Sequence, residues 1–575
     1  MTDDGQSTSK FAGNAFASFL LGQINSSGRT IYNGNTEFNR REVGTYIQDD
    51  WKVTPHLSLN LGLRWEVMGG ITEAHGQMTQ FNPLLPNSAA GNLPGTLEFA
   101  SQLKKKGFER TDWGLILPRF GITYAVNPKL VWRAGFGINT QSPEGGPEFQ
   151  FNGPPSIAGY SGRIAVNHTT NPQPYSDMAV ATLSAPYPSL GYTLPNYDPT
   201  QANGQGATYI RPDGSKVTYV ENYNMGIQYD LGHKTIAEIN YVGNTGKRLY
   251  AYGTDQLNQL PISYLAKYGD ALLDNISQHP EIPLPYAGFS GSVQQALAPF
   301  PQYQGGGVGQ YDYNIGWSRY DSLQAQITRK VGRGLNVMAA YTWSKTMTNT
   351  NSNCNRGECA PVQDVHNLRL EKAVALGIHF PQQFKLTMFY DLPFGSSRQF
   401  ALHGPLDWVA GGWTISGNGI YQSGNTLQIT DGLVSNGIFA STRPNYTGQR
   451  VELNQGGTIY TNGKDFAKDP QYLNPAAFTH VPYTSNNTVA LTTGNVPSAL
   501  GNVLGPGMAS EQASLQKKFS FGENKFFQLR ADAINAFNRS GRGDPVTDIN
   551  DPNFGRITGT KYSPRVVQLS GRISF

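Results

Sequence analysis

The side chains best suited to chemistry fall into two groups, a cysteine pair and a series of charges. Cys354 and Cys359 bracket the segment Cys354-Asn355-Arg356-Gly357-Glu358-Cys359. Two thiols this near one another favour a disulfide in an oxidising compartment. The alternative is a metal site with Asp364 and His366, although no second Cys or His pair completes a zinc set. The second group is Arg64, Glu66, Arg133, Glu238, Lys385, Arg530, Asp532 and Arg572. Each sits at a polar position of an alternating segment, where a charge can line a wet channel or touch a polar solute. Motifs for catalysis are missing. There is no H-E-x-x-H, no G-x-S-x-G and no G-x-G-x-x-G. Gly246-Lys247 runs into Arg248 without the framework of a phosphate loop. The residues therefore argue against an enzyme and call for no cofactor or resident metal.

What positions the charges is a period of two. From His56 to Val67, residues Leu57, Leu59, Leu61, Leu63, Trp65 and Val67 alternate with Ser58, Asn60, Gly62, Arg64 and Glu66. Successive side chains of a strand point to opposite faces, so one face is apolar and the other polar. The pattern returns at Leu130 to Ile138, Leu335 to Ser344, Phe527 to Ile534 and Val567 to Phe575. About thirteen segments meet this criterion. Composition agrees with an all-β chain: charged residues are 15% of 575, against roughly 25% in an average globular protein. Gly 66, Tyr 30 and Phe 28 supply turns and aromatics. The balance of 44 basic and 40 acidic residues gives no reason to expect nucleic-acid binding.

Connections alternate between short and long. Tight turns are predicted at 53–56, 126–129, 231–234, 331–334 and 522–524. Between them lie Gly-, Pro- and Asn-rich stretches at 68–116, 140–215, 245–314, 348–377, 423–506 and 539–564. The link 393–408 is intermediate and fits less well. Short turns on one side and long loops on the other are the layout of an outer-membrane barrel. A soluble β-sandwich or propeller also alternates its faces, but loops beyond about 15 residues are uncommon there. Aromatics near the inferred strand ends, Tyr46, Trp51, Trp65, Tyr124, Tyr241, Trp343, Trp413 and Tyr421, read as girdles at the membrane interfaces. No run of about 18 apolar residues would make a transmembrane helix, which does not exclude a barrel. Met1-Thr2-Asp3-Asp4-Gly5 lacks the basic and apolar regions of a signal peptide. An exported protein should have one, so the expectation is that either export is absent or the start of the gene is missing.

Several motifs resemble one family. Tyr46-Ile47-Gln48-Asp49-Asp50-Trp51-Lys52-Val53-Thr54-Pro55, leading into the Leu57 strand, resembles a signature of TonB-dependent receptor barrels. It is most similar to the large Oar-like receptors, whose N-terminus carries a carboxypeptidase-regulatory-like domain. Tyr241-Val242-Gly243-Asn244-Thr245-Gly246-Lys247-Arg248-Leu249, Tyr341-Thr342-Trp343-Ser344-Lys345, Leu392-Pro393-Phe394-Gly395 and Gly411-Gly412-Trp413 resemble that group too. So do Asn474-Pro475-Ala476-Ala477-Phe478 and Asn535-Ala536-Phe537-Asn538. Each motif is weak, but their order along the chain is specific.

The resemblance implies a barrel of about 22 strands with an N-terminal plug and a TonB-contacting segment. The expected fold is an all-β transmembrane antiparallel barrel, present in part as about 13–14 strands. Residues 1–40 are expected as a loop at the start and 41–575 as the later barrel strands, with no plug among them. The implied activity is import of a bulky nutrient, small-molecule or oligomeric, with outer-membrane lipid, the barrel assembly machinery and the TonB complex as partners. Rival readings are a passive porin or an adhesion- or export-related Oar-like barrel, and a soluble β-rich binding protein. The eight charges are expected to face the lumen. Leu569, Gly571, Ile573 and Phe575 resemble the terminal signal that assembly machinery captures, by pairing an edge strand. The segment Gln302 to Tyr313 could bind sugars or peptides, or be ordinary loop.

Overall fold

In the computed structural model the period-two segments become long strands. The structure describes residues 15–24, 26–140, 155–167, 181–187, 190–214, 216–251, 256–305, 307–311, 313–331, 334–351, 362–396, 398–432, 437–440, 442–453, 471–485, 489–521 and 525–575. The wall strands are β1 Glu42–Thr54, β2 Leu57–Met68, β3 Asp112–Asn127, β4 Leu130–Thr140, β5 Tyr219–Gly232, β6 Thr235–Tyr250 and β7 Asn314–Val331. They continue as β8 Leu335–Thr348, β9 Gln382–Asp391, β10 Trp413–Gln422, β11 Met508–Ser520, β12 Phe526–Ile534 and β13 Val566–Ser574. Each pairs antiparallel with its neighbours in chain order, and Ala373–Val374 adds a short pairing to β8 to make a 14-stranded sheet.

Register fixes the faces. Leu61 lies opposite Phe120, Phe120 opposite Phe136, and Phe136 opposite Tyr223, so one apolar stripe crosses four strands. It continues through Tyr241, Leu323 and Trp343. Apart from the half-buried Tyr223, these side chains are exposed, as they must be if lipid rather than protein covers them. Among the described residues, tight turns join β1 to β2, β3 to β4 and β5 to β6, all at one end.

The buried core lies elsewhere, in the long loops at the other end. Phe81, Leu97, Phe99, Tyr160, Tyr303 and Val308 form one cluster, drawn from three different loops. Leu260, Leu265, Leu272, Val293, Ile438 and Val489 form a second, and Leu427, Ile429, Leu473, Phe478 and Ile557 a third. Ser26–Tyr32 pairs with Ser161–Asn167 in the same region, and Phe38–Asn39 with Thr72–Glu73. The loops thus fold on one another into a cap with its own apolar interior.

Two expectations need correction, and one pair of alternatives is narrowed. Tyr46 is not part of a girdle on the apolar face, because it pairs with Arg64 and therefore shares the polar face. The loop after β6 starts later than residue 245: pairing with β7 runs on to Tyr250, opposite Asn314. Gly243 and Gly246 interrupt the side-chain alternation there, but backbone pairing needs no side chain. Finally, within Gln302 to Tyr313 the residues Gln302, Tyr303, Val308 and Tyr311 are buried, which favours the ordinary-loop alternative for them. Gln302 donates to the Pro94 and Gly95 carbonyl oxygens at 2.8 and 3.0 Å. Burial of Tyr303 pushes its hydroxyl pKa up to about 12.

Candidate inner-wall binding surface

All eight predicted charges fall on the polar face, in phase with one another and out of phase with the exposed apolar stripe. On β2, Arg64 and Glu66 are ion-paired, and Glu66 Oε2 also accepts from the Thr140 hydroxyl at 2.7 Å. Gly44 on the neighbouring strand makes room for that arginine: a Cβ there would lie 2.5 Å from the Arg64 Nη2. Arg119, opposite Gly62 and Gly137, donates to Asn139 Oδ1 at 2.9 Å. Arg133 pairs in register with Thr123 and Gly226 on this same face. Glu238 stands between Gln228 and Gln326. Lys385 lies opposite Ala340, and Arg572 opposite Gln528.

Two of the predicted residues come together in a groove on the polar face of β9 to β12. The cavity, of about 270 Å³, is lined by the polar Thr387, Ser416, Asn418, Gln512, Ser514, Arg530 and Asp532, together with Met388, Phe389, Gly417, Ala513, Ala533 and Ile534. Arg530 and Asp532 are ion-paired at 2.8 Å. Gln516 Oε1 accepts from Gln528 Nε2 at 2.7 Å one step along the same face. Hydroxyls, amides and a paired charge can bind a hydrated, oxygen-rich solute, and they hold no arrangement of nucleophile and base. Thr387, Ser416, Asn418, Gln512 and Ser514 escaped the sequence reading because it followed charges only. Their even spacing relative to Lys385 and Arg530 was the available signal.

Leu569, Gly571 and Ile573 lie opposite Ala531, Leu529 and Phe527, on the apolar face, and Phe575 follows the strand fully exposed. Cys354 and Cys359 lie outside the described residues, so neither the disulfide nor the metal alternative acquires a geometry. Asp364 and His366 do: the His366 backbone amide donates to Asp364 Oδ1 at 2.9 Å, within the loop cap.

An apolar outer face, a polar inner face, tight turns at one end and folded loops at the other define a class: the wall of an outer-membrane β-barrel. The family model described as outer membrane beta barrel domain matches residues 1–568, and the chain belongs to that family. The outer membrane is its location, and the soluble β-rich reading is overturned. Comparison with curated proteins finds no match. Among solved structures, the chain is similar to the ferripyoverdine receptor of the outer membrane of Pseudomonas aeruginosa, with 11% identity and a TM-score of 0.36, covering 94% of this chain and 39% of that one. It is also similar to the outer membrane transporter YddB from Escherichia coli, at 12% identity and TM-score 0.39, covering 94% of this chain and 55% of the other. The siderophore receptor PiuA from Acinetobacter baumannii matches at 10% identity and TM-score 0.36, covering 94% and 44%. The chain therefore spans about half or less of the length of these structures.

Proposed function

We propose that this chain is the wall and loop cap of a TonB-dependent receptor that imports a bulky, oxygen-rich nutrient such as a carbohydrate or peptide. The observation that carries the proposal is the folded loop cap. A passive pore needs an open mouth, whereas these loops bury apolar clusters and salt bridges among themselves. A receptor uses such loops to capture ligand before admitting it. Below the cap, the hydroxyl- and amide-lined groove around Arg530 and Asp532 would meet the solute in transit. Force from TonB would act through a plug in the complete receptor, as the motif resemblance implies.

The test compares cells carrying the gene with cells lacking it, for depletion of oligosaccharides, peptides and iron chelates from the medium. The expected result is depletion of one class that stops when a protonophore is added. Depletion that continues under the protonophore would indicate a passive pore and overturn energy coupling.

A further inference from the structure

The described links at the short-turn end, 55–56, 128–129 and 233–234, are tight, whereas the stretch 392–412 between β9 and β10 is longer. It contains a six-residue helix, α1 Pro405–Ala410. It is bound to the outside of the wall, not to its inner face. Trp413 and Lys517 stand opposite one another, in phase with Ile415 and Leu515 on the apolar side. The Trp413 indole donates to the Val409 carbonyl oxygen at 2.9 Å. The Lys517 ammonium, buried beneath the helix, donates to the Val409 and Gly411 carbonyl oxygens at 3.1 and 2.6 Å. A lysine so placed satisfies carbonyls that the end of a helix leaves unpaired. Asp407 Oδ1 accepts from the Ser396 amide at 3.0 Å, closing the loop on itself. At Gly412, with φ of 72°, a Cβ would fall 2.4 Å from the Lys518 carbonyl oxygen, so the chain returns to β10 only through glycine.

Having been fixed by its backbone, the helix turns apolar side chains away from the protein. Leu406, Trp408 and Val409 are 67%, 70% and 72% exposed. Phe394 and Phe400 stack at 5.6 Å in the same link and are exposed as well. The Trp408 ring lies 5.8 Å from Phe519, which stacks on Phe527 at 6.0 Å. The patch is thus continuous with the lipid-facing stripe. Water would oppose so much apolar surface on a rigid element, by about 25 cal/mol per Å². A Trp beside aliphatic side chains at the rim of a membrane wall fits the headgroup boundary.

We propose that α1 and the Phe394–Phe400 pair form an interfacial anchor that sits in the periplasmic leaflet of the outer membrane, with phospholipid as its partner. The anchor would fix the depth of the wall at β9 to β11. A nitroxide on Leu406→Cys, with Cys354→Ser and Cys359→Ser, tests this in protein reconstituted into phosphatidylethanolamine and phosphatidylglycerol vesicles. Oxygen partitions into lipid, and a nickel chelate stays in water. The expected ratio of oxygen to nickel accessibility exceeds that of a label at Leu84→Cys in the cap and stays below that of a label at Leu61→Cys near mid-wall. A ratio equal to that at Leu84→Cys would overturn the proposal, as would low accessibility to both reagents, which would indicate a protein partner or a second copy. Should Leu406→Cys impair folding, Val409→Cys carries the same readout.

Discussion

At the scale of the residue, parity decides almost everything. Whether a side chain meets lipid or solute depends on whether its position is odd or even within its strand, and the sequence states that parity openly at Leu57 to Val67. Leu61→Arg is expected to cost about 2–4 kcal/mol, because it places a charge against hydrocarbon near mid-wall. Ser58→Arg, opposite Lys52 and Thr123 on the polar face, is expected to be mild. Denaturant unfolding in bilayers compares the two; equal sensitivity would contradict the face assignment. His379 illustrates what parity cannot reveal. It is buried at the base of the cap, where its Nδ1 accepts from the Thr346 amide at 3.1 Å. Burial, with help from Lys345, holds its pKa below the ordinary value of 6.5. The folded protein thus prefers the neutral ring. Its contribution to stability is complete above pH 6.5 and is lost as the pH falls below 6.5 toward the folded value. An NMR titration of the imidazole should give a midpoint under 6.5; one at or above it would contradict this environment.

At the scale of the element, strands were legible and loops were not. A strand announces itself locally, since period two needs only its own residues. The cap depends on contacts between loops far apart in sequence, such as Phe81 with Phe300 and Tyr303, and no local pattern encodes those. Tyr and Gln in Gln302 to Tyr313 looked like ligand contacts because the same side chains suit a polar surface and a loop interior. Tyr46 was misplaced for a related reason: β1 alternates less cleanly, with Asp49 opposite Leu61 on the apolar side. The groove residues Thr387, Asn418 and Ser514 were legible by parity but carried no charge to attract notice. The cap also contains a buried ion pair, Arg443 with Glu371 at 2.7 Å, joining two loops. Arg443→Ala would leave Glu371 buried without its partner, at a cost of about 3–5 kcal/mol. Hydrogen exchange should then rise across 362–374 and 442–446 while β9 to β11 stay protected. Unchanged exchange in the cap would show that the pair does not hold the loops together.

At the scale of the whole molecule, the two ends of the sheet decide its stability. Among the described residues, β1 and β13 are not paired with one another, so each presents an edge of backbone groups. Edges left in hydrocarbon cost several kcal/mol per unpaired group, and a stable wall requires that both be paired. The account as a whole rests on orientation: apolar face to lipid, cap outside the cell, tight turns in the periplasm. Intact-cell labelling tests this most directly. Leu84→Cys lies in the cap and is 85% exposed, while Lys129→Cys lies in the turn between β3 and β4. With Cys354→Ser and Cys359→Ser, a membrane-impermeant maleimide should label Leu84→Cys on intact cells. It should reach Lys129→Cys only after the outer membrane is permeabilised. Labelling of Lys129→Cys on intact cells, or of Leu84→Cys only after permeabilisation, would contradict the orientation and the receptor built on it.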